Sequence, residues 1–202
     1  VFPVYALGIS FSCAGTELAL SRCVAQENAA GHPEKAKELL KTGLIFTFVL
    51  SCILTIFLQH NAHMTAISFL HDSRCEELLI LLSYTFPFAS IHSCICGYSL
   101  GLKQTKIPAV SQLFEQTFRI LFVFLFCYYR TSHQLDLSIS FAVVGLAMGE
   151  IFASCYCLYS IHHTASKQVQ NLLSASTFCI HLSRLFRHAF PLTASRVLLN
   201  IL

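Results

Sequence analysis

Long apolar runs without charge clusters recur along the chain and decide its fold class. We find five, at residues 4–25, 42–59, 78–102, 108–129 and 138–161, and a sixth that begins near residue 188. A helix needs about 20 predominantly apolar residues to cross a bilayer. Over that length in lipid, a helix satisfies its own backbone polar groups, whereas an isolated strand does not. The pattern therefore predicts an all-α, polytopic transmembrane helical bundle.

The composition agrees with a lipid-facing surface. Charged residues make up 11% of the chain, against about 25% in ordinary soluble domains. The net charge of +3 is small, and the basic residues do not form the cluster that nucleic-acid binding requires. Membrane lipids are therefore the predicted surroundings, and no nucleic-acid partner is predicted.

Basic residues fall mainly in alternate connections, which predicts the orientation. The connections 26–41, 103–107 and 162–187 contain eight Lys and Arg, and the two opposite loops contain only Arg74 and Arg130. Lys and Arg concentrate in cytoplasmic loops, so these three connections are predicted to be cytoplasmic in a multi-pass protein of the cell membrane. The segment 162–187 is either an amphipathic helix at the lipid headgroups or a plain linker.

The predicted organisation has three parts. Residues 1–161 form five transmembrane helices, 162–187 form the cytoplasmic connecting segment, and 188–202 begin a sixth, truncated span. The chain is interpreted as part of a longer polypeptide, because its last apolar run is shorter than a span.

The fourth span carries a polar stripe. Ser111, Gln112, Glu115, Gln116 and Arg119 fall within an arc of about 140° at 100° per residue. Glu115 and Arg119 have the i, i+4 spacing of a helical ion pair, with the acid first. Two interpretations stay open: the pair only neutralises itself, or the stripe lines a cavity that meets a charged substrate.

Other ionisable residues also lie inside predicted spans, where each is costly unless it is paired or hydrated. Glu17 and Glu150 are candidates for ion coupling, although carboxylates of this kind also act as hydrogen-bonded contacts between helices. Arg196 lies in the sixth span. Arg22 lies near the cytoplasmic end of the first span, where a long side chain reaches the headgroups.

No metal site, cofactor or catalytic motif is predicted. The ten Cys lie mostly in apolar runs and are interpreted as small packing residues. His60, His63, His71 and Asp72 share one external loop, but polar residues near a membrane surface are expected there without a metal. No arrangement of nucleophile and base stands out, so the chain is not expected to be an enzyme.

Glycine and proline mark predicted contacts and bends. Gly97 and Gly101, and Gly145 and Gly149, form two GxxxG patterns, which let helices approach closely in membranes. Pro87 lies inside the third predicted span and Pro191 lies near the start of the sixth. Both can kink a helix, as a hinge of a transporter or as a purely structural bend.

Several segments resemble one family of membrane transporters. The sequence of residues 21–27 with the following Gly31, the segment 97–119, the pair Gly149 and Glu150, and the segment 191–196 are similar to the polysaccharide-exporter and stage V sporulation protein B-like branch of the flippase superfamily. That superfamily also contains multidrug and toxic-compound extrusion transporters and lipid II flippases. The likeness extends over essentially the whole chain.

The resemblance implies one lobe of a two-lobed transporter of 12 to 14 helices that works by alternating access. The implied function is a flippase or exporter of lipid-linked oligosaccharide or peptidoglycan-type precursors. Its implied partners are a lipid-linked sugar diphosphate and a missing C-terminal lobe. The implied substrate-binding residues are Arg119, Glu115, Arg196, Gln112, Gln116 and Arg22.

Two other functions are kept open: a cation-coupled multidrug exporter, which Glu17 and Glu150 would suit, and a membrane scaffold protein without transport activity.

Overall fold

The computed structural model describes residues 2–10, 13, 15–70, 75–132 and 140–165, together with 183, 185, 187, 189 and 191–195. These residues contain no strand, and those up to residue 165 form eight helices. In chain order they are α1 (Phe2–Ile9), α2 (Gly15–Ala29), α3 (Pro33–His60), α4 (Ala62–Leu70), α5 (Cys75–Ser83), α6 (Phe86–Gly101), α7 (Lys106–Ser132) and α8 (Ser140–Ala165).

Three of these helices are long and apolar enough to cross a membrane on their own, namely α3, α7 and α8. Helices α5 and α6 pass the same test together and are bent by 43° at the break between them. Pro87 lies in the first turn of α6, directly after this break. The segment predicted as the first span is divided into α1 and α2, and Ser10 and Cys13 between them lie in π-helical turns.

Helix α3 begins well before the apolar run that predicted it. Pro33 stands in its first turn, where the missing N–H of proline costs nothing. Ala36, Leu39 and Leu40 are buried against α2 and α6. The first part of α3 also contains Lys35, Lys37 and Lys41, which lie between the buried positions. A search for apolar runs excludes this part of the helix because of these three charges.

Two connections close with the same turn. The N–H groups of Gly31 and His32 donate to the carbonyls of Asn28 and Glu27, and those of Lys103 and Gln104 donate to Leu100 and Ser99. This is the Schellman arrangement that ends helices with one residue in the left-handed region. That residue is Gly31 (φ 76°) after α2 and Lys103 (φ 62°) after α6.

Described residues beside or within the three connections predicted to be cytoplasmic lie at one end of the bundle. One apolar cluster contains Val24, Ala36, Leu102 and Ile161, from the ends of α2, α6 and α8 and the start of α3, together with Leu185. A second cluster contains Tyr5, Leu58, Leu82, Phe86 and Val143 from the opposite ends. The helices therefore alternate in direction as the sequence predicts.

The predicted connecting segment 162–187 is only partly described. Residues 162–165 continue α8, and residues 166–182 lie outside the described part of the chain. Leu185 and Ala189 are fully or almost fully buried in the cluster with α2 and α3, and both are helical. Residues 183, 185 and 187, which precede the predicted start of the sixth span at residue 188, are therefore already helical.

Apolar side chains cover the outside of the bundle. The large exposed ones lie chiefly on α3, α7 and α8, and include Ile45, Phe48, Val49, Ile53, Ile56 and Phe57 of α3, Leu113, Ile120, Leu121, Phe124, Leu125 and Tyr128 of α7, and Phe152, Leu158 and Tyr159 of α8. In water so many exposed apolar side chains would drive aggregation. In a bilayer they are the surface that meets the lipid tails.

Helix α3 meets α5 and α6 through buried hydroxyl groups. Thr47 and Thr55 donate to carbonyls one turn earlier in α3, at 2.9 and 2.8 Å, and Ser51 donates to Phe48 at 2.8 Å. Ser51 also lies 3.2 Å from the Ser90 hydroxyl, and Thr55 lies 3.1 Å from the Ser83 carbonyl. Each of the three hydroxyls is therefore satisfied within its own helix, and those of Ser51 and Thr55 also contact the neighbouring helices.

Two glycines let helices approach to backbone distance. A Cβ added at Gly97 would lie 2.6 Å from the Glu17 carbonyl oxygen, and one added at Gly149 would lie 2.8 Å from that of Glu115. No larger residue fits without moving a backbone. The two GxxxG patterns therefore form close contacts, as predicted, between α6 and α2 and between α8 and α7.

Candidate functional site

The polar residues of the bundle converge on one cavity of about 530 Å³. Five helices contribute to its lining: α1, α2, α6, α7 and α8. The lining residues are Ile9, Cys13, Glu17, Ala89, His92, Ser93, Cys96, Leu100, Pro108, Ala109, Gln112, Glu115 and Glu150. Three of them are carboxylates, and none is Lys or Arg. The cavity wall described here is therefore rich in negative charge.

Two of the carboxylates owe their positions to the glycine contacts. Gly97 of α6 rests on the backbone of Glu17, and Gly149 of α8 rests on the backbone of Glu115. Each contact brings the helix that bears the carboxylate against its neighbour. Glu17 then accepts a hydrogen bond from the Ser93 hydroxyl at 3.2 Å. The wall of the cavity is thus set by backbone packing and not only by side-chain choice.

His92 is the centre of the polar network. One ring nitrogen, Nδ1, lies 3.4 Å from Glu150 Oε2, and the other, Nε2, lies 3.0 Å from Ser111 Oγ. Glu150 is 7% exposed, so its carboxylate needs this neighbour. A buried ionisable group without a partner would be strongly unfavourable in the apolar interior. His92 therefore joins α6 to both α7 and α8.

The ion pair predicted on the polar stripe is present. A guanidinium nitrogen of Arg119 donates to Glu115, and another lies 3.4 Å from the Gln116 side-chain oxygen. Its third nitrogen, Nε, is buried and has no hydrogen-bond acceptor among the described residues. Arg119 therefore pairs with one carboxylate of the cavity wall, and its Nε–H is a donor without an acceptor among the described residues.

The remaining predicted site residues are distributed more widely. Gln112 lines the cavity, whereas Gln116 is exposed on the same helix. Arg22 is exposed near the end of α2 that carries the predicted cytoplasmic turn. It is not among the residues that line the cavity. Arg196 lies outside the described residues.

The external histidines show no shared site in the described part of the chain. His63 Nδ1 lies 2.9 Å from Glu76 Oε2, so α4 and α5 are joined by a surface contact. His60 is exposed, and His71 and Asp72 lie outside the described residues.

Sequence reasoning missed His92, Ser93, Cys96 and Cys157 as site residues. His92 was detectable in principle, because it is the one ionisable side chain in the run 78–102 and such residues usually mark function in a bilayer. The others carry no local signal. Cys157 lies on α8 and Cys96 on α6, and only the packing of the two helices brings them together.

Comparison with known proteins agrees with this arrangement. Stage V sporulation protein B of Bacillus subtilis (strain 168) is 25% identical to the chain over 201 residues. The fold is similar to that of a multidrug resistance MATE family transporter of the MOP superfamily in its inward-facing conformation, with a TM-score of 0.69 and 16% identity over 99% of the chain. The chain spans 39% of the length of the first protein and 45% of the second.

The family assignment rests on the whole sequence. The model of the polysaccharide biosynthesis protein family matches residues 1–202, which includes both glycine contacts, the stripe of α7 and the acidic wall of the cavity. The chain therefore belongs to the polysaccharide biosynthesis protein family.

Proposed function

We propose that this chain forms one lobe of a membrane transporter that moves a lipid-linked oligosaccharide or peptidoglycan-type precursor across the cell membrane by alternating access. The observation that carries the proposal is a polar cavity lined by five helices of a bundle whose outer surface is largely apolar. A scaffold protein needs no such cavity, because its buried charges would pair directly between helices. Membership of the polysaccharide biosynthesis protein family supports a substrate from that process.

Arg119 is the residue that we propose to meet the diphosphate of the precursor. Its buried Nε–H has no acceptor among the described residues, and guanidinium groups bind phosphate oxygens through paired donors. Glu115 holds the other side of the guanidinium and so fixes its direction. Arg196, Arg22, Gln112 and Gln116 are proposed as further contacts once a second lobe of the same polypeptide closes the cavity.

A second candidate function is export of a cationic compound coupled to a cation gradient. The acidic lining favours it: Glu17, Glu115 and Glu150 face the cavity without a Lys or Arg among the lining residues. In that case Glu17 and Glu150 would hold the coupling cation, and Arg119 would be a structural partner of Glu115. The two candidates differ in the charge of the substrate, which makes them separable.

The test uses the full-length protein in proteoliposomes. One assay follows translocation of a fluorescent lipid-linked sugar diphosphate, and a parallel assay follows efflux of a fluorescent organic cation. The proposed function predicts translocation of the anionic lipid and no efflux of the cation. Efflux of the cation without lipid translocation would establish the second candidate, and inactivity in both assays by folded protein would favour a scaffold role.

Removal of the ion pair separates the roles of Arg119. If Arg119 only neutralises Glu115, the change Glu115→Gln/Arg119→Gln should leave translocation intact, since removing both partners leaves no buried charge. If Arg119 binds the diphosphate, the double variant stays inactive at normal abundance. Arg119→Lys then recovers part of the activity, because Lys keeps the charge without the planar fork.

A matched control pair lies outside the cavity. Glu34 and Lys37 form an i, i+3 ion pair at 3.8 Å near the start of α3. The change Glu34→Gln/Lys37→Gln removes the same two charges at an exposed site. It should leave both abundance and translocation unchanged, because surface pairs contribute little.

The orientation is proposed from the basic residues. The connections 26–41, 103–107 and 162–187 are placed in the cytoplasm. In a variant without native Cys, an impermeant reagent added outside should label His60→Cys and leave Lys103→Cys unlabelled. The reverse result would invert the orientation and leave the fold unaffected.

A further inference from the structure

Three side chains outside the proposed transport residues form a cluster of soft metal ligands. His92, Cys96 and Cys157 are placed so that one ligand atom of each lies within 4.8 Å of the others. Cys96 and Cys157 are both buried and neither forms a disulfide among the described residues. Ser111 Oγ lies 3.0 Å from His92 Nε2 and 3.5 Å from Cys96 Sγ. The Nε2 side of the ring therefore faces Ser111, which also contacts Cys96.

The cluster is assembled from two helices at a ligand-like spacing. His92 and Cys96 stand four residues apart on α6, so both side chains project from one face of the helix. Cys157 enters from α8, which packs against α6. Ser111 of α7 completes the surroundings. Three ligands from two helices with a hydroxyl beside them match the number of donors in small zinc sites, which hold a fourth position for oxygen.

The second nitrogen of His92 supplies an independent argument. Nδ1 lies 3.4 Å from the Glu150 carboxylate, the group that metal-bound histidines commonly bind through their other N–H. A metal-binding His92 would hold its proton on Nδ1, toward Glu150, and present the Nε2 lone pair to the metal ion. Packing alone would not require a carboxylate at that position.

We propose that His92, Cys96 and Cys157 bind one Zn²⁺ ion. Two thiolates and one dipositive ion give a neutral unit, which suits a buried position where an unbalanced charge is costly. On binding, each thiol loses its proton and forms a Zn–S bond, and the two protons leave to solvent through the cavity. His92 and Cys96 both line that cavity, so the ion has a path of entry. The bound ion would tie α6 to α8 directly beneath the cavity.

The test uses the full-length protein in detergent, without a polyhistidine tag. Protein is incubated with Zn²⁺, desalted and analysed for metal by mass spectrometry. We expect about one zinc per chain more in the wild type than in Cys96→Ser/Cys157→Ser. The matched control is Cys155→Ser, two residues from Cys157 and exposed, which should retain the metal. Equal zinc in the wild type and the double variant would overturn the proposal.

Cobalt gives a readout that does not depend on the stability of any variant. Co²⁺ added to the wild type in place of Zn²⁺ should produce the near-ultraviolet charge-transfer band of cobalt–thiolate bonds, and excess Zn²⁺ should abolish it. Absence of that band in folded wild-type protein would show that the thiols do not coordinate.

Glu150→Gln should keep the band and weaken the affinity for Zn²⁺ by roughly 10- to 100-fold. An unchanged affinity would remove the argument from His92 Nδ1.

Discussion

The two walls of the cavity are built by the same contact and supported differently. In each, a glycine of one helix rests on the carbonyl of a cavity glutamate, Gly97 on Glu17 and Gly149 on Glu115. Helix α2, which carries Glu17, is enclosed between α3 and α6 and contributes Ala19, Leu20 and other residues to the buried core. Helix α7, which carries Glu115, packs mainly on α8 and is otherwise exposed.

This difference indicates what each wall can do under strain. A larger residue in place of Gly97 would push against α2, which packs against the buried core on both sides. The strain can therefore be relieved only by a loss of packing in that core. At the α7 contact, the helix can move away from α8, because its remaining surface is largely exposed in the described structure. We therefore expect the α2 wall to govern the stability of the protein and the α7 wall to govern the shape of the cavity.

The largest effect is expected from Gly97→Ala. The new methyl group would lie 2.6 Å from the Glu17 carbonyl oxygen, and overpacked cores lose about 1–3 kcal/mol. We expect a clear fall in melting temperature and in membrane abundance, measured by fluorescence-detected size-exclusion chromatography. Gly43→Ala is the matched control, because its methyl group would meet only side-chain atoms, at 3.2 Å or more. An unchanged melting temperature for Gly97→Ala would contradict an enclosed α2 wall.

Gly149→Ala should lower activity more than stability. The methyl group would lie 2.8 Å from the Glu115 carbonyl oxygen, and α7 can relieve the clash by moving outward. We expect stability to fall by less than in Gly97→Ala, by about 1 kcal/mol, and translocation in proteoliposomes to fall at least severalfold. If Gly149→Ala unfolds the protein as strongly as Gly97→Ala, the two walls are equally enclosed and the comparison fails.

A substitution in the aromatic contact between α7 and α8 should have a moderate effect on stability. The rings of Phe118 and Phe152 are stacked with centroids 4.1 Å apart and an angle of 8°. A ring pair contributes about 0.5–1.5 kcal/mol beyond burial. Phe118→Leu should therefore lower the melting temperature slightly, whereas Phe124→Leu on the lipid face, 70% exposed, should not. Equal effects of the two changes would mean that lipid contact, and not the stack, supports α7.

The smallest effect is expected at the turn that leads into α7. Lys103 adopts a φ of 62°, which glycine adopts without strain and other residues adopt at a cost. Lys103→Gly should raise stability by about 0.5–1 kcal/mol. Gly31, in the same turn type after α2, provides the reciprocal change: Gly31→Ala should lower stability by a similar amount. A loss of stability in Lys103→Gly would show that the Lys side chain itself contributes.

Local patterns predicted the features that lie within single helices. The i, i+4 pair of Glu115 and Arg119 follows from spacing along one segment and is present. The bend between α5 and α6 lies beside Pro87, a residue type that can kink a helix. The start of α3 at Pro33 was missed because the apolar criterion rejects a segment with three Lys, although its buried positions have helical spacing.

Features that depend on the register between helices could not be predicted. His92 and Glu150 are 58 residues apart, and their contact exists only because α6 and α8 pack side by side. The same holds for Cys96 and Cys157. Moving either helix by one residue would turn these side chains about 100° away, and nothing in the composition of α6 or α8 specifies that register.

The hydroxyl groups of α3 have a consequence for how the protein is made. During synthesis α3 leaves the ribosome before α6, and must enter the lipid while its eventual neighbour does not yet exist. Thr47, Ser51 and Thr55 each bond to a carbonyl of their own helix, so these three hydroxyls are already satisfied while α3 waits. The contacts to Ser90 and Ser83 then form by lateral association. For these three side chains, entry of α3 into the bilayer therefore does not depend on its assembly with the rest of the bundle.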